Sequence, residues 1–106
     1  MSETLKAVKG LAAAGDMRIS EHGYDELAED RIAVRDIIGG LDDAVVVEDY
    51  PGFPKGPAVL VLQYDQTNAP IHVVWGIPRG HSSPAVLVTA YRPDPRRWSE
   101  DFLERR

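Results

Sequence analysis

Up to Leu41 the apolar residues recur at the three- and four-residue spacing of helices, and from Ala44 they come in short β-branched runs instead. Leu5, Val8, Leu11 and Ala12 share one side of a helix predicted over Glu3 to Ala14 and ended near Gly15. A second helix starts at Ser20, whose hydroxyl can cap the free amides that follow, and runs to about Asp30. Gly23 weakens it, and Glu21, Asp25, Glu26 and Glu29 make its outer face acidic. A third, short helix covers Val34 to about Ile38, with Val34, Ile37, Ile38 and Leu41 buried and Gly39-Gly40 as its stop.

AVVVEDY, AVLVLQY, PIHVVWGI and AVLVTAY then read as four strands, separated by PGFPKGP, DQTNAP and PRGHSSP. These connections leave no room for crossover helices, so neighbouring strands should pair antiparallel. The expected fold class is α+β: two or three N-terminal helices packed on a four-stranded antiparallel sheet. One domain accounts for residues 1–106, with a helical part over 3–41, a sheet over 44–91 and a tail over 93–106. The tail contains WSEDFLERR, which suits a last helical turn or a loose segment.

Composition narrows the chemistry. There is no cysteine, which excludes disulfides, thiolate metal sites and a cysteine nucleophile, and fits a cytoplasmic location. No apolar run reaches the ~18 residues of a membrane span, and MSETLKAVKGLAAAG reads as an amphipathic helix rather than a signal peptide. Net charge is −5, divided unevenly: residues 1–53 carry five Lys/Arg against twelve Asp/Glu, and residues 54–106 seven against five. A polyanion would therefore bind on the sheet and C-terminal side, away from the acidic helices. No glycine-rich phosphate loop and no G-x-S-x-G is present, so nucleotide-dependent and α/β-hydrolase chemistry has no support.

Alternation assigns the strand faces. In PIHVVWGI, Ile71, Val73, Trp75 and Ile77 form the helix-packed set, and His72, Val74 and Gly76 face the open side. In AVLVTAY, a helix-facing set of Val86, Val88 and Ala90 places Leu87, Thr89 and Tyr91 on the open side with His72. Polar groups converging on one sheet face mark a candidate site, because a sheet rarely buries them unpartnered. His22 lies near a helix N-terminus, where the dipole keeps imidazole neutral, and Glu26 at i+4 could orient it. Arg31 and Arg92 could neutralise a phosphate; Trp98 beside Arg96 and Arg97 could stack on a base or anchor the tail. His81, in a loop, is incidental. His22 and Glu26, closed by His72, are a metal reading, but no HExxH or dense ligand cluster supports one, and neither metal nor cofactor is expected.

Several pieces recur in a recognisable order: Ser20-x-His22, Arg31-Ile32, Val47-Glu48-Asp49-Tyr50-Pro51, Pro70-Ile71-His72-Val73-Val74 and Thr89-Ala90-Tyr91-Arg92-Pro93-x-x-x-x-Trp98. Over roughly Met17 to Trp98 the chain resembles the bacterial domain-of-unknown-function family 4258, itself similar to RelE/BrnT-like toxins of toxin–antitoxin pairs. The resemblance implies a RelE/BrnT-like architecture and a metal-independent endoribonuclease, with RNA and an antitoxin protein as partners. It implies His22 and His72 as the acid/base pair, one taking the 2′-hydroxyl proton and the other protonating the leaving 5′-oxygen. Arg31, Thr89 and Tyr91 would support them, and Arg92, Arg96, Arg97 and Trp98 would hold the substrate. The alternative is a non-catalytic interaction domain whose open sheet face receives a partner peptide, or a second copy in a homodimer. The two readings differ in geometry: the enzyme needs the histidines within reach of each other, and the binding domain needs an exposed apolar patch near Val74, Leu87 and Tyr91.

Overall fold

The computed structural model describes residues 2–106. Ser2 caps helix α1 (Glu3–Ala13), its Oγ accepting the Leu5 amide at 3.0 Å. Ser20 caps helix α2 (Glu21–Glu29) in the same way, accepting from Gly23 at 2.9 Å, while its hydroxyl donates to the Val88 carbonyl at 2.8 Å. One serine thus starts the helix and fastens it to the last strand. Gly23 costs helix propensity but permits this contact, since a Cβ there would lie 2.9 Å from the Leu87 carbonyl oxygen. Helix α3 (Val34–Gly40) begins at Ala33 without a side-chain cap and runs on into a 3-10 turn over Leu41–Asp43. The glycine pair therefore does not stop it. Gly40 instead allows close packing, because a Cβ would sit 2.9 Å from the Tyr64 carbonyl oxygen. Ile37 and Leu41 face the core from this segment, whereas Ile38, expected inside, is 46% exposed.

The sheet has five strands, not four, and is mixed rather than wholly antiparallel. Strands β1 (Met17–Ile19), β2 (Val45–Tyr50), β3 (Ala58–Tyr64), β4 (Pro70–Gly76) and β5 (Ala85–Tyr91) lie in the order β1-β5-β4-β3-β2. The last four pair antiparallel as neighbours in sequence. β1 adds parallel to β5, Met17 opposite Ala85 and Ile19 opposite Leu87, and the Ser20 amide continues the ladder to the Leu87 carbonyl at 3.0 Å. Three residues are too few to show alternation, and β1 exists only through its pairing with a strand far along the chain.

The helices cover one face. Leu5, Val8, Leu27, Ile37 and Leu41 pack there against Val59, Val61, Ile71, Val73, Trp75, Leu87 and Ala90. Gln63 is a polar member of this layer and is satisfied twice, donating to the Ile37 carbonyl at 2.7 Å and accepting from the Trp75 indole at 3.2 Å. In β5 the simple alternation fails. Val74 pairs with Thr89 but Trp75 pairs with Leu87, so Val88 is an extra, bulged residue. Ala85, Leu87 and Ala90 consequently enter the core, while Val86 and Val88, expected there, line the other face, and Leu87, expected outside, is fully buried. Among the described residues no helix is long and apolar enough to cross a membrane.

Candidate functional site

On the face away from the helices, Tyr91 lies directly across from His72 in the β4–β5 ladder, and Thr89 opposite Val74. The C-terminal segment folds back over this pair. Trp98 is buried, with its ring edge-on to the His72 imidazole at 4.4 Å, and Tyr91 meets the same ring at 5.3 Å. The tail is neither a helical turn nor loose: it doubles back, Trp98 bridging to Arg105, with Phe102 in the left-handed region at φ 62°. That turn aims the Phe102 carbonyl at His72 Nε2, 2.8 Å away. A carbonyl only accepts, so the proton sits on Nε2, and neutral Nδ1 is left to accept from the Tyr91 hydroxyl at 3.1 Å. Burial holds the imidazole pKa below its ordinary value and pushes the Tyr91 phenol up.

A charged clasp closes the rim. Arg105 lies 4.7 Å over the Trp98 ring and donates from Nε and Nη2 to the two Glu48 oxygens at 2.9 Å each. Tyr50 also donates to Glu48. The Arg105 bond, then the Tyr50 bond, lowers the Glu48 pKa from 4.5 to about 2. Glu48 and Arg105 are members of this cluster that the sequence does not mark as site residues, since nothing local to the tail announces that it returns to β2.

The remaining expected site residues divide. His22 is two-thirds exposed and touches Glu26 at 3.4 Å. It belongs to the helix layer, with its neighbours Gly23 and Leu27 against the sheet, whereas His72 points out of the opposite face. The two histidines are not brought together, and both ring nitrogens of His72 are already engaged. Arg31 is exposed at the end of α2, at φ 54°, without a contact to either histidine. Arg96 is exposed. Arg92, Arg97 and Trp98 do converge, lining a cavity of about 320 Å3 together with Tyr91, Asp94 and Arg105. The His22–Glu26–His72 metal arrangement is separated by the sheet, and no group of three potential ligands occurs among the described residues.

Next to the tail, the same sheet face is only partly covered, with Val88 exposed and Val74 half-buried. Val74, Val86, Val88 and Ala58 form the floor of a groove of about 390 Å3, walled by Tyr50 and Phe53 from the β2–β3 turn. Tyr50 is 39%, Phe53 51% and Val88 37% exposed. The groove's charged lining consists of Arg18 and Lys55, both cationic, on an acidic chain. The Val88 bulge turns Val86 and Val88 out of the core, where simple alternation puts them, and onto this groove.

Neither a curated protein nor a solved structure matches the chain. Residues 19–92 do match a protein family, a stretch that spans α2 through β5 and holds His22, His72, Thr89, Tyr91 and the groove floor, but ends before Trp98 and Arg105. On that match the chain belongs to the family described as domain of unknown function DUF4258.

Proposed function

We propose that this protein is an interaction module whose open sheet face binds a short segment of another protein, one that presents apolar side chains next to a carboxylate. The observation that carries this reading is the groove itself, apolar at its floor, aromatic at one wall and, among the described residues, charged only by the cations Arg18 and Lys55. An exposed apolar concavity of this kind stays solvated at a cost that a partner removes, and cations at the edge select acidic partners in a protein that is otherwise anionic. The separation of His22 from His72 and the burial of His72 under the tail support a role that does not need an acid/base pair.

A random peptide library selected on the purified protein tests this. Enrichment of peptides combining aliphatic or aromatic residues with Asp or Glu is expected, their binding abolished by Val88→Asp and weakened by Lys55→Glu. Absence of enrichment, or binding indifferent to both substitutions, overturns the proposal.

The second reading is a metal-independent endoribonuclease of the toxin type. It draws on the resemblance to RelE/BrnT-like toxins and on one local observation, the His72–Tyr91 pair lying beside Arg92, Arg97 and Arg105. In that form the tail must draw the Phe102 carbonyl away from His72 for the imidazole to exchange a proton, and His22 takes no part. Cleavage of total RNA in EDTA by the protein, lost in His72→Ala, would establish it.

A further inference from the structure

The cavity between the end of β5 and the tail collects three guanidinium groups, Arg92, Arg97 and Arg105, on a chain of net charge −5. Two of them are held in place. Arg92 Nη2 lies 2.8 Å from Asp65 Oδ2 and its Nη1 donates to the Pro70 carbonyl at 3.2 Å. Arg105 spends Nε and Nη2 on Glu48. Arg92 Nε remains without a partner among the described residues, and the Arg97 guanidinium makes no hydrogen bond or ion pair among them, while Arg105 lies against Tyr50 as well as Glu48. Asp94 is the one carboxylate in the lining, and its Oδ1 accepts the Arg96 backbone amide at 2.9 Å.

Guanidinium donors match phosphate oxygens in geometry and charge, and groups already fixed lose little side-chain freedom when an anion arrives. Trp98 offers no stacking surface for a base, because it is buried between His72 and Arg105. The geometry points to an oxyanion site of the phosphate type, in which Arg92, Arg97 and Arg105 hold a phosphate group and whatever it is attached to is left unread. Free phosphate, a phosphomonoester and a phosphodiester share this chemistry. The site is separate from the apolar groove, so it stands or falls independently of peptide binding there.

The test follows the Nε–H signals of the arginines by nuclear magnetic resonance, in phosphate-free buffer at constant ionic strength. The probes are inorganic phosphate and a ribodinucleotide with one phosphodiester. Saturable shifts at Arg92, Arg97 and Arg105 are expected with at least one probe. Saturation by phosphate alone assigns free phosphate or a monoester, and saturation by the dinucleotide assigns a diester. Arg97→Gln should weaken the affinity by about fivefold, and Asp94→Asn, which removes a like charge while keeping the turn bond, should tighten it by about twofold. The Nε–H signal of Trp75, far inside the helix layer, reports that each variant is folded. Shifts that do not saturate, that appear equally at Arg18 and Arg79, or that ignore both substitutions overturn the site.

Discussion

The helix face and the tail face of this sheet are built from the same strands but closed differently. On the first, Val59, Val61, Val73 and Trp75 are sealed by three helices whose apolar sides were selected for the purpose. On the second, Leu60, Leu62 and His72 are also buried, yet their cover includes a short tail without regular secondary structure, and beyond it Val74 and Val88 are left open to solvent. The helix layer is closed mainly by apolar contact, with Gln63 among its polar members and the Ser20 hydroxyl fastening α2 to the Val88 carbonyl. The tail layer depends on named polar contacts, the Phe102 carbonyl on His72 and Glu48 on Arg105. A face closed by a few specific bonds responds to pH and to single substitutions in ways that an apolar layer does not.

The largest effect should come from the helix face. Trp75→Ala, which empties a fully buried site and strands Gln63, is expected to cost about 3–5 kcal/mol in denaturant unfolding. A much smaller loss would mean that the helix layer is not the main source of stability. Next, His72→Ala should cost about 2–3 kcal/mol, through the cavity and the unpaired Phe102 carbonyl, and should shift Trp98 fluorescence as the tail loosens. If the emission stays unchanged, the tail is held without His72, by Trp98 and the Glu48–Arg105 pair.

The pH response sharpens the contrast. His72 titrates near 6.5 when unfolded and lower when folded, so the unfolded chain takes up the proton first and stability falls as pH drops below about 6.5. Glu48 has the same sign in a lower window: its contribution is complete above its ordinary 4.5 and is lost as pH falls toward about 2. His72→Gln should flatten the first window and leave the second. The smallest effect is expected at the clasp itself. Glu48 and Arg105 are 28% and 63% exposed, so Arg105→Gln should cost less than about 1 kcal/mol, the cost shrinking as salt is added.

Most of the helix face could be read from the sequence, because Leu5, Val8, Ile71, Val73 and Trp75 keep to the period of their elements. The four long strands were legible for the same reason. What escaped depends on partners distant in the chain. Met17–Ile19 is a strand only beside Ala85–Leu87, Val88 is a bulge only against β4, and the tail takes its course from His72 and Glu48. The candidate site was legible in the same proportion. His72 and Tyr91 share a face because strand alternation puts them there, whereas the expected role for His22 came from the resemblance together with its place near a helix N-terminus, and neither says which side of a sheet the helix covers.

The extra residue in β5 also bears on how this strand can change in length. A bulged strand carries two reading frames: Ala85 and Leu87 face inward in the first, and Ala90 faces inward with Tyr91 outward in the second. Deleting Val88 or Thr89 would merge the frames and still leave Tyr91 beside His72. Deleting Ala90 would also merge them, but with Thr89 turned inward opposite Val73, a hydroxyl in the apolar layer. The strand can therefore lose one residue with Tyr91 still beside His72, and where the loss is cheap is set by which side chain then turns toward the helices.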